Sequence, residues 1–260
     1  MEDNAPPLLP PPPRVYAAGV MDAVALGWRL VTGSFSTLWL IGLLAYLAQG
    51  YLGMLGAAPY IGALVSLAVS IFVQPALTAG LVYVIRRRAE GRGVRLEDLF
   101  EGFRQRYWQS VVSILPPMGL GVFFGLAMIG VLVALGIGLG VFGGDITWDT
   151  RTVVTAVAIA LGAVSPVAFL MVCALLFFVF TPVALWDHPE SGWNAVRESA
   201  GLVRRHFGRV LLFSLLFGAI WVAALLAGIL TCCAGLVVTI PFTMVWQQAA
   251  IVYLYRSWRS

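Results

Sequence analysis

The chain has 260 residues, of which 60% are hydrophobic and 11% are charged, and its formal net charge is +4. Soluble domains carry about 25% charged residues, so the composition excludes a soluble globular domain, a disordered chain and a disulfide-rich scaffold. Four runs that lack Asp, Glu, Lys and Arg hold 175 of the 260 residues: 30–85, 107–144, 152–186 and 210–255. Because about 20 apolar residues span a bilayer as a helix, these runs predict a polytopic membrane protein. Their unbroken hydrophobicity favours helices over the alternating strands of a β-barrel.

Residues 5–13 contain six prolines, a composition typical of an extended polyproline II segment. We therefore predict a disordered cytoplasmic tail over residues 1–14, either simply solvated or recognised by a proline-binding partner. The rest of the chain, 15–260, is predicted to be one transmembrane domain. Its first apolar segment is too long for a cleavable signal peptide and should act as an uncleaved signal.

The four apolar runs divide into six predicted spans. A turn rich in Gly and Ala that includes Pro59 splits the first run, and residues 231–235 split the last. Each middle run is too short for two spans and is counted as one, with kinks at Pro116, Pro117 and Pro166. The predicted spans are 35–54, 61–85, 110–141, 153–185, 208–230 and 236–256. In the third span, the Gly121/Gly125 pair is typical of close helix packing, although glycine is also common in membrane helices.

The distribution of positive charge predicts the orientation. All 16 basic residues are arginines, and all but Arg151 lie in the N-terminal segment, the 86–106 loop, the 187–209 loop or the C-terminal tail. By the positive-inside rule, both termini and both long loops are cytoplasmic, as an even number of spans requires.

A common pattern precedes spans one, three and five, in segments that we call the lead-in segments. Apolar residues recur at steps of three and four, which places them on one helical face, and each stripe ends on an aromatic residue at the membrane entry. The stripes are Met21, Val24, Trp28, Val31 and Phe35; Leu96, Phe100, Phe103 and Tyr107, with Gly93 in the remaining place; and Trp193, Val196, Ala200, Val203 and Phe207.

This pattern predicts an amphipathic interfacial helix before each of three transmembrane hairpins. The chain would then be a pseudo-threefold repeat with copies at roughly 15–90, 91–188 and 189–260. The alternative is that any helix entering a bilayer carries such a stripe. Prolines align poorly between the copies, since Pro75 lies 11 residues before Arg86 whereas Pro241 lies 15 before Arg256.

No ionisable residue lies inside the predicted spans, so the usual sign of a proton relay or ion site is missing. The strongest polar groups there are five glutamines, which either line a polar cavity or hydrogen-bond between helices. They are Gln49, Gln74, Gln109, Gln247 and Gln248.

The residues indicate neither an enzyme nor a cofactor or metal site. His188 and His206 are 18 residues apart in one loop, and the adjacent Cys232 and Cys233 match no metal spacing. His188 is expected to lie at the interface beside Asp187. No phosphate-binding glycine loop, GxSxG or HExxH motif occurs, and a net charge of +4 does not require nucleic acid.

Two arginine clusters flank the spans. Guanidinium groups pair with phosphate, so these clusters are candidates for binding anionic lipid headgroups. Alternatively, they only hold the loops inside. The clusters are Arg86, Arg87, Arg88, Arg92 and Arg95, and Arg204, Arg205 and Arg209.

The residues Gly80-Leu-Val-Tyr83, followed by arginines and glycines and then by Leu96-Glu-Asp-Leu-Phe-Glu-Gly-Phe103, resemble a loop in bacterial six-helix membrane proteins. That group is similar to the membrane domain attached to some glycerophosphodiester phosphodiesterases. The resemblance implies a bacterial inner-membrane location. It implies no activity, because the chain has no room for a catalytic phosphodiesterase domain.

The sequence thus predicts an all-α, six-span protein whose partners are the bilayer, anionic lipids and a membrane protein or a second copy. The leading hypothesis is a non-catalytic accessory, scaffold or assembly component. The alternative is a transporter or a lipid-handling protein, which the repeats and proline-broken helices favour.

Overall fold

The computed structural model describes residues 19–55, 62–138, 150–231 and 234–259. The predicted proline-rich tail and the Cys232/Cys233 pair lie outside these residues. Within them, the secondary structure is helical, with short turns between elements. The helices are α1 (Val20–Thr32), α2 (Phe35–Leu55), α3 (Gly62–Phe72), α4 (Gln74–Ala89), a 3₁₀ helix (Leu96–Phe100), α5 (Glu101–Gln105), α6 (Tyr107–Gly138), α7 (Thr150–Leu176), α8 (Thr181–Ala184), α9 (Gly192–Leu230) and α10 (Ala234–Arg259).

Five helical stretches in the described ranges are long and apolar enough to cross a membrane. A sixth is added if α1 and α2, which are bent by 98° relative to each other, count as one broken span. The prediction of a polytopic helical protein is therefore confirmed, with five to six candidate spans. The five stretches are Leu64–Ala89, Tyr107–Ala134, Gly162–Ala184, Gly192–Leu230 and Gly235–Arg259.

Prolines follow the interruptions within two of these stretches. Pro75 lies in the first turn of α4, directly after the break at Val73, and Pro182 lies in the first turn of α8, after the turn at 177–180. Both positions suit proline, which has no N–H to lose in a first turn. Pro116, Pro117, Pro166 and Pro241 lie inside continuous helices.

The three lead-in segments are helical, and each is interrupted directly before its entry aromatic. The first is α1, the second is the 3₁₀ helix with α5, and the third is the start of α9. In α9 the interruption is His206, whose φ of −124° and ψ of 27° are not helical. The interruptions at 33–34, 106 and 206 precede Phe35, Tyr107 and Phe207.

The described chain divides into two units, one formed by residues up to 114 and from 178 onward, the other by 115–177. In the first unit, α10 packs against α1, α2, α4 and α9. Close backbone approach makes this packing possible. A Cβ at Gly27 would lie 2.9 Å from the Ala250 nitrogen, and a Cβ at Gly80 would collide with the carbonyl oxygen of Leu99.

The second unit contains most of α6 and all of α7. Its apolar side chains are largely exposed, including Phe123 and Phe169. The glycines predicted to receive a neighbouring helix face open space, since no atom of the described chain would lie within 4 Å of a Cβ at Gly121 or Gly125. No packing within the described residues therefore explains these two glycines.

Gly80→Ala tests the backbone contact between α4 and the second lead-in segment. The added methyl group must displace the Leu99 backbone, so we expect the free energy of unfolding in detergent to fall by about 2 kcal/mol or more. The matched control is Gly125→Ala, which adds the same methyl group to open space and should cause no loss, because alanine is the better helix former. Equal stability of the two variants would show that the contact is not tight.

Candidate functional site

Three helix ends meet at the carboxylate of Asp187, in the turn that follows α8. Arg86, in the last turn of α4, donates from Nη2 to Asp187 Oδ1 at 2.8 Å. Tyr255, on α10, donates from its hydroxyl to Oδ2 at 3.0 Å, and Arg259 also donates to Oδ2. The side chain of Asp187 is only 16% exposed, so this carboxylate is largely removed from solvent and fully engaged.

Local backbone structure positions these groups. Pro182 starts α8, and the N–H of Asp187 donates to the Ala184 carbonyl at 3.0 Å, which closes the turn. Arg86 also donates from Nη1 to the Val183 carbonyl at 3.2 Å. After α4 the chain reverses at Gly91, whose φ of +74° is the left-handed conformation that favours glycine at a helix end.

Further ion pairs surround Asp187 and form what we call the Asp187 cluster. Glu198 lies 3.1 Å from Arg259 Nε and 2.5 Å from His188 Nε2, while Glu90 accepts from Arg256 at 2.5 Å. Three arginines thus face three carboxylates, so the cluster is balanced apart from any charge on His188. Its members are Arg86, Glu90, Asp187, His188, Glu198, Tyr255, Arg256 and Arg259.

The arginines also set the charge state of Asp187. Burial alone would raise the pKa of this carboxyl group. The hydrogen bond and the charge of Arg86, together with Tyr255 and Arg259, outweigh burial and hold the pKa below its ordinary value. Asp187 is therefore ionised at neutral pH and acts as a fixed negative charge between two cations.

A stack of rings and guanidinium groups lies next to the cluster. Tyr83 packs on Trp186 with ring centroids 4.6 Å apart. The guanidinium carbon of Arg87 lies 5.8 Å from the Tyr83 ring centroid, and that of Arg106 lies 5.6 Å from the Trp186 ring centroid. The indole N–H of Trp186 donates to the Ala79 carbonyl at 3.0 Å. Cation–π contacts of this kind strengthen when they are partly desolvated, so the stack fastens α4 to the turn after α8.

The structure separates the eight predicted headgroup-binding arginines into two groups. Arg86 pairs with Asp187, Arg87 pairs with Asp98 at 2.8 Å, and Arg88 donates to the Ser34 hydroxyl at 2.5 Å. The other five side chains are exposed. Of these, Arg92 makes only a long contact of 3.6 Å to Glu90. The exposed group is Arg92, Arg95, Arg204, Arg205 and Arg209.

Two of the five predicted cavity glutamines bridge elements. Gln247 on α10 accepts from the indole N–H of Trp221 on α9 at 2.9 Å, and Gln109 donates to the Pro189 carbonyl at 3.0 Å. The side-chain oxygen of Gln248 is buried without a hydrogen-bond partner among the described residues. Gln49 and Gln74 are half-buried. The five side chains thus have different surroundings, and the two bridging ones stabilise helix contacts.

The histidines lie apart within the first unit. His188 contacts Glu198 and Glu190, while His206 stacks on Trp258 with centroids 4.6 Å apart. In the described ranges, no group of three His, Cys, Asp or Glu side chains has the geometry to hold a metal ion. The charged groups of the Asp187 cluster pair with one another within the protein.

Sequence reasoning missed the partners of Arg86, but a signal for them exists. The prolines align poorly between the predicted copies. The seven residues that end on the first charged residue at or after the end of the second helix of each predicted hairpin, which we call the return helix, align better. These segments are GLVYVIR (80–86), TPVALWD (181–187) and AIVYLYR (250–256). Each has a fully buried valine in third place, namely Val82, Val183 and Val252. When the three segments are aligned on their last residue, Asp187 stands where the other two segments have Arg86 and Arg256.

Comparison with known proteins gives one match. A family model described as a domain of unknown function, DUF7847, matches residues 20–255. The chain belongs to the DUF7847 family. The matched region begins at the first residue of α1 and ends at Tyr255, so the DUF7847 domain contains all three lead-in segments and most of the Asp187 cluster. No curated protein and no solved structure matches the chain.

Asp187→Asn tests whether the cluster holds this DUF7847 domain together. The substitution removes the charge that balances Arg86 and Arg259, so we expect the free energy of unfolding at pH 7 to fall by about 3 kcal/mol. The control is Glu97→Gln, which removes one negative charge from an exposed position and should change stability by less than about 0.5 kcal/mol. Equal effects would contradict a specific role of Asp187.

The same substitution makes the stability less dependent on pH. Because the pKa of Asp187 is lower in the folded state, its contribution is complete above the unfolded pKa of about 3.9. The contribution is lost as the pH falls from there through the folded-state value. The stability difference between the native protein and Asp187→Asn should therefore be the same at about pH 6 and pH 7 and should shrink below about pH 4, and a difference that stays constant down to about pH 3 would contradict this.

Proposed function

We propose that the chain is a non-catalytic scaffold or assembly component of a bacterial inner membrane, with both termini and both long loops cytoplasmic. The observation that carries this proposal is the Asp187 cluster. Its carboxylates and arginines are engaged with one another, whereas a catalytic site needs groups that remain available to a substrate. The cluster joins α4, the turn after α8 and α10 into one base, from which exposed arginines face outward.

We further propose that the domain is a threefold repeat of a lead-in helix and a transmembrane hairpin. The interruptions before Phe35, Tyr107 and Phe207 support it, because they fall at the same place in each stripe. Each lead-in helix also packs against the return helix of the preceding copy. Gly102 packs on α4 and Ser199 accepts from the Phe180 N–H at 3.2 Å, while Gly27 of the first copy packs on α10 of the last. Within the first unit, these contacts follow the order of the proposed copies.

The lead-in helices are proposed to lie in the headgroup layer of the inner leaflet. In the first and third lead-in segments, the apolar stripe includes both buried and exposed residues. In α1, Val24 and Val31 are buried, whereas Met21 and Trp28 are exposed. Trp193 is likewise exposed before the fifth span, and Val196 is buried. A helix with one apolar edge on the protein and another facing outward suits an interface, where tryptophan is favoured.

A second candidate function, in transport or lipid handling, is favoured by the broken return helices. The stretch Leu64–Ala89 is interrupted at Val73, and a turn at 177–180 precedes α8. In transporters, discontinuous helices of this kind surround a substrate site. The buried, unpaired oxygen of Gln248 is the polar group most suited to such a site. From the sequence resemblance at residues 80–103, we also propose that the chain is similar to the membrane domain of glycerophosphodiester phosphodiesterases.

Single engineered cysteines test the proposed orientation. In a background with Cys173, Cys232 and Cys233 replaced by alanine, Val94→Cys and Glu190→Cys should react with an impermeant maleimide only after the membrane is opened. Thr147→Cys, in a connection proposed to face outward, should react in intact cells and serves as the control. Labelling of residue 94 or residue 190 from outside would contradict the proposed topology.

Gentle extraction and mass spectrometry test the scaffold itself. We expect a tagged chain to recover a membrane protein partner, or a second copy of itself, in a fixed ratio. Asp187→Asn should lose this partner, because it loosens the base on which the partner assembles, while Gly125→Ala should retain it. If no protein is recovered in a fixed ratio after crosslinking, the scaffold proposal fails and the second candidate takes its place.

A further inference from the structure

An exposed stripe lies along α9 on both sides of its interruption at His206. On each side of the interruption, its members follow one another at helical spacings of three and four residues, so the members on that side share one face of the helix. All are exposed, although Val196, Val203 and Val210 on the opposite face are buried. The stripe consists of Trp193, Arg197, Gly201, Arg204, Arg205, Gly208, Arg209, Leu212 and Leu215.

The arginines beside the interruption have no carboxylate partner in the described part of the chain. Arg204, Arg205 and Arg209 make no ion pair there, whereas Arg86, Arg256 and Arg259 are paired. The nearest acidic residue in the sequence, Glu198, is already held by His188 and Arg259. Three positive charges are therefore left facing outward, and their complement is an anion from outside the chain.

Two glycines open a space among these charges. No atom would lie within 4 Å of a Cβ at Gly201 or Gly208, so packing does not require glycine at either position. Glycine in a helix costs about 1 kcal/mol relative to alanine. Its presence here leaves the helix backbone bare between guanidinium groups, which gives a bulky headgroup room to approach.

The stripe continues into the apolar part of α9. Leu212 and Leu215 lie on the same face and are 57% and 65% exposed. Leu215 follows Arg209 by about 9 Å at 1.5 Å of helical rise per residue. A cationic end followed by exposed apolar side chains matches a phospholipid, whose phosphate precedes its acyl chains. A nucleic acid or a soluble phosphate has no acyl chain that could contact Leu212 and Leu215.

We propose that this face of α9 holds one anionic phospholipid of the inner leaflet. Arg204, Arg205 and Arg209 bind the phosphate and the charged headgroup, the glycerol backbone lies over Gly208, and the acyl chains follow Leu212 and Leu215. The assignment rests on the orientation given under the proposed function. It does not depend on a protein partner.

Lipid retention by the purified full-length chain tests the assignment. The protein is held in micelles doped with phosphatidylglycerol or phosphatidylcholine, and bound lipid is counted by native mass spectrometry. The combined change Arg204→Gln/Arg205→Gln/Arg209→Gln should weaken phosphatidylglycerol binding by roughly 100-fold, because each arginine contributes about 1 kcal/mol at an anionic surface and a tenfold change in affinity corresponds to about 1.4 kcal/mol. The matched control, Arg92→Gln/Arg95→Gln/Arg104→Gln, removes the same charge elsewhere and should change binding by less than about threefold.

A steric variant separates a shaped site from charge alone. Gly208→Leu keeps every arginine but fills the space over the backbone, and it should weaken binding by about tenfold without changing thermal stability. Gly218→Leu adds the same side chain to open space on the same helix and should bind like the native protein. Inorganic phosphate should not displace the lipid.

Three results would overturn the assignment. They are equal losses in the two arginine triples, native binding by Gly208→Leu, and displacement by inorganic phosphate, which would indicate a site for a free anion. Because lipid is counted on the isolated chain, the assignment can hold when no protein partner is found. It can also fail when a partner is found, so the two proposals are separable.

Discussion

The carboxylate of Asp187 is held by arginines from two different helices and by the hydroxyl of Tyr255. In a bilayer the hydrophobic effect does not hold helices against one another, because lipid tails are as apolar as leucine. Specific polar contacts and close packing must supply the association. An ionised aspartate between Arg86 and Arg259 supplies it where the charged helix ends meet, and removing one partner from such a set leaves an uncompensated charge.

This constraint accounts for other features of the first unit. Arg86 reaches Asp187 only because α4 lies close to the turn after α8, and the Tyr83–Trp186 contact maintains that approach. Close packing of Gly80 against the Leu99 backbone fixes the opposite side of α4. In the proposed repeat, Asp187 is the one acidic residue at a position where the other copies carry arginine. A third arginine there would leave Arg86 without its partner, so the exchange of charge creates the Arg86–Asp187 pair, while Arg256 pairs with Glu90.

The sequence predicted those parts of the molecule that depend on local pattern. Hydrophobic runs located the candidate spans, and the predicted entry aromatics, such as Phe207, follow directly after the helix interruptions in the structure. Pairing between residues that are distant in the sequence could not be predicted from local pattern. Arg86 and Asp187 are 101 residues apart, so the cluster at 86–88 was interpreted as free to bind lipid. Each lead-in stripe contains exposed residues, such as Trp28, Phe100 and Trp193, because those helices contact the protein along part of their surface only, which a period of 3.6 residues does not reveal.

A double-mutant cycle between Arg86→Gln and Asp187→Asn tests the central claim most directly. The free energy of unfolding of the native protein, both single variants and the double variant is measured in one detergent at pH 7. The account predicts a coupling energy of about 2 kcal/mol, within the range found for residues that share one ion-pair network. A coupling energy of about zero, with the two single effects simply adding, would contradict it.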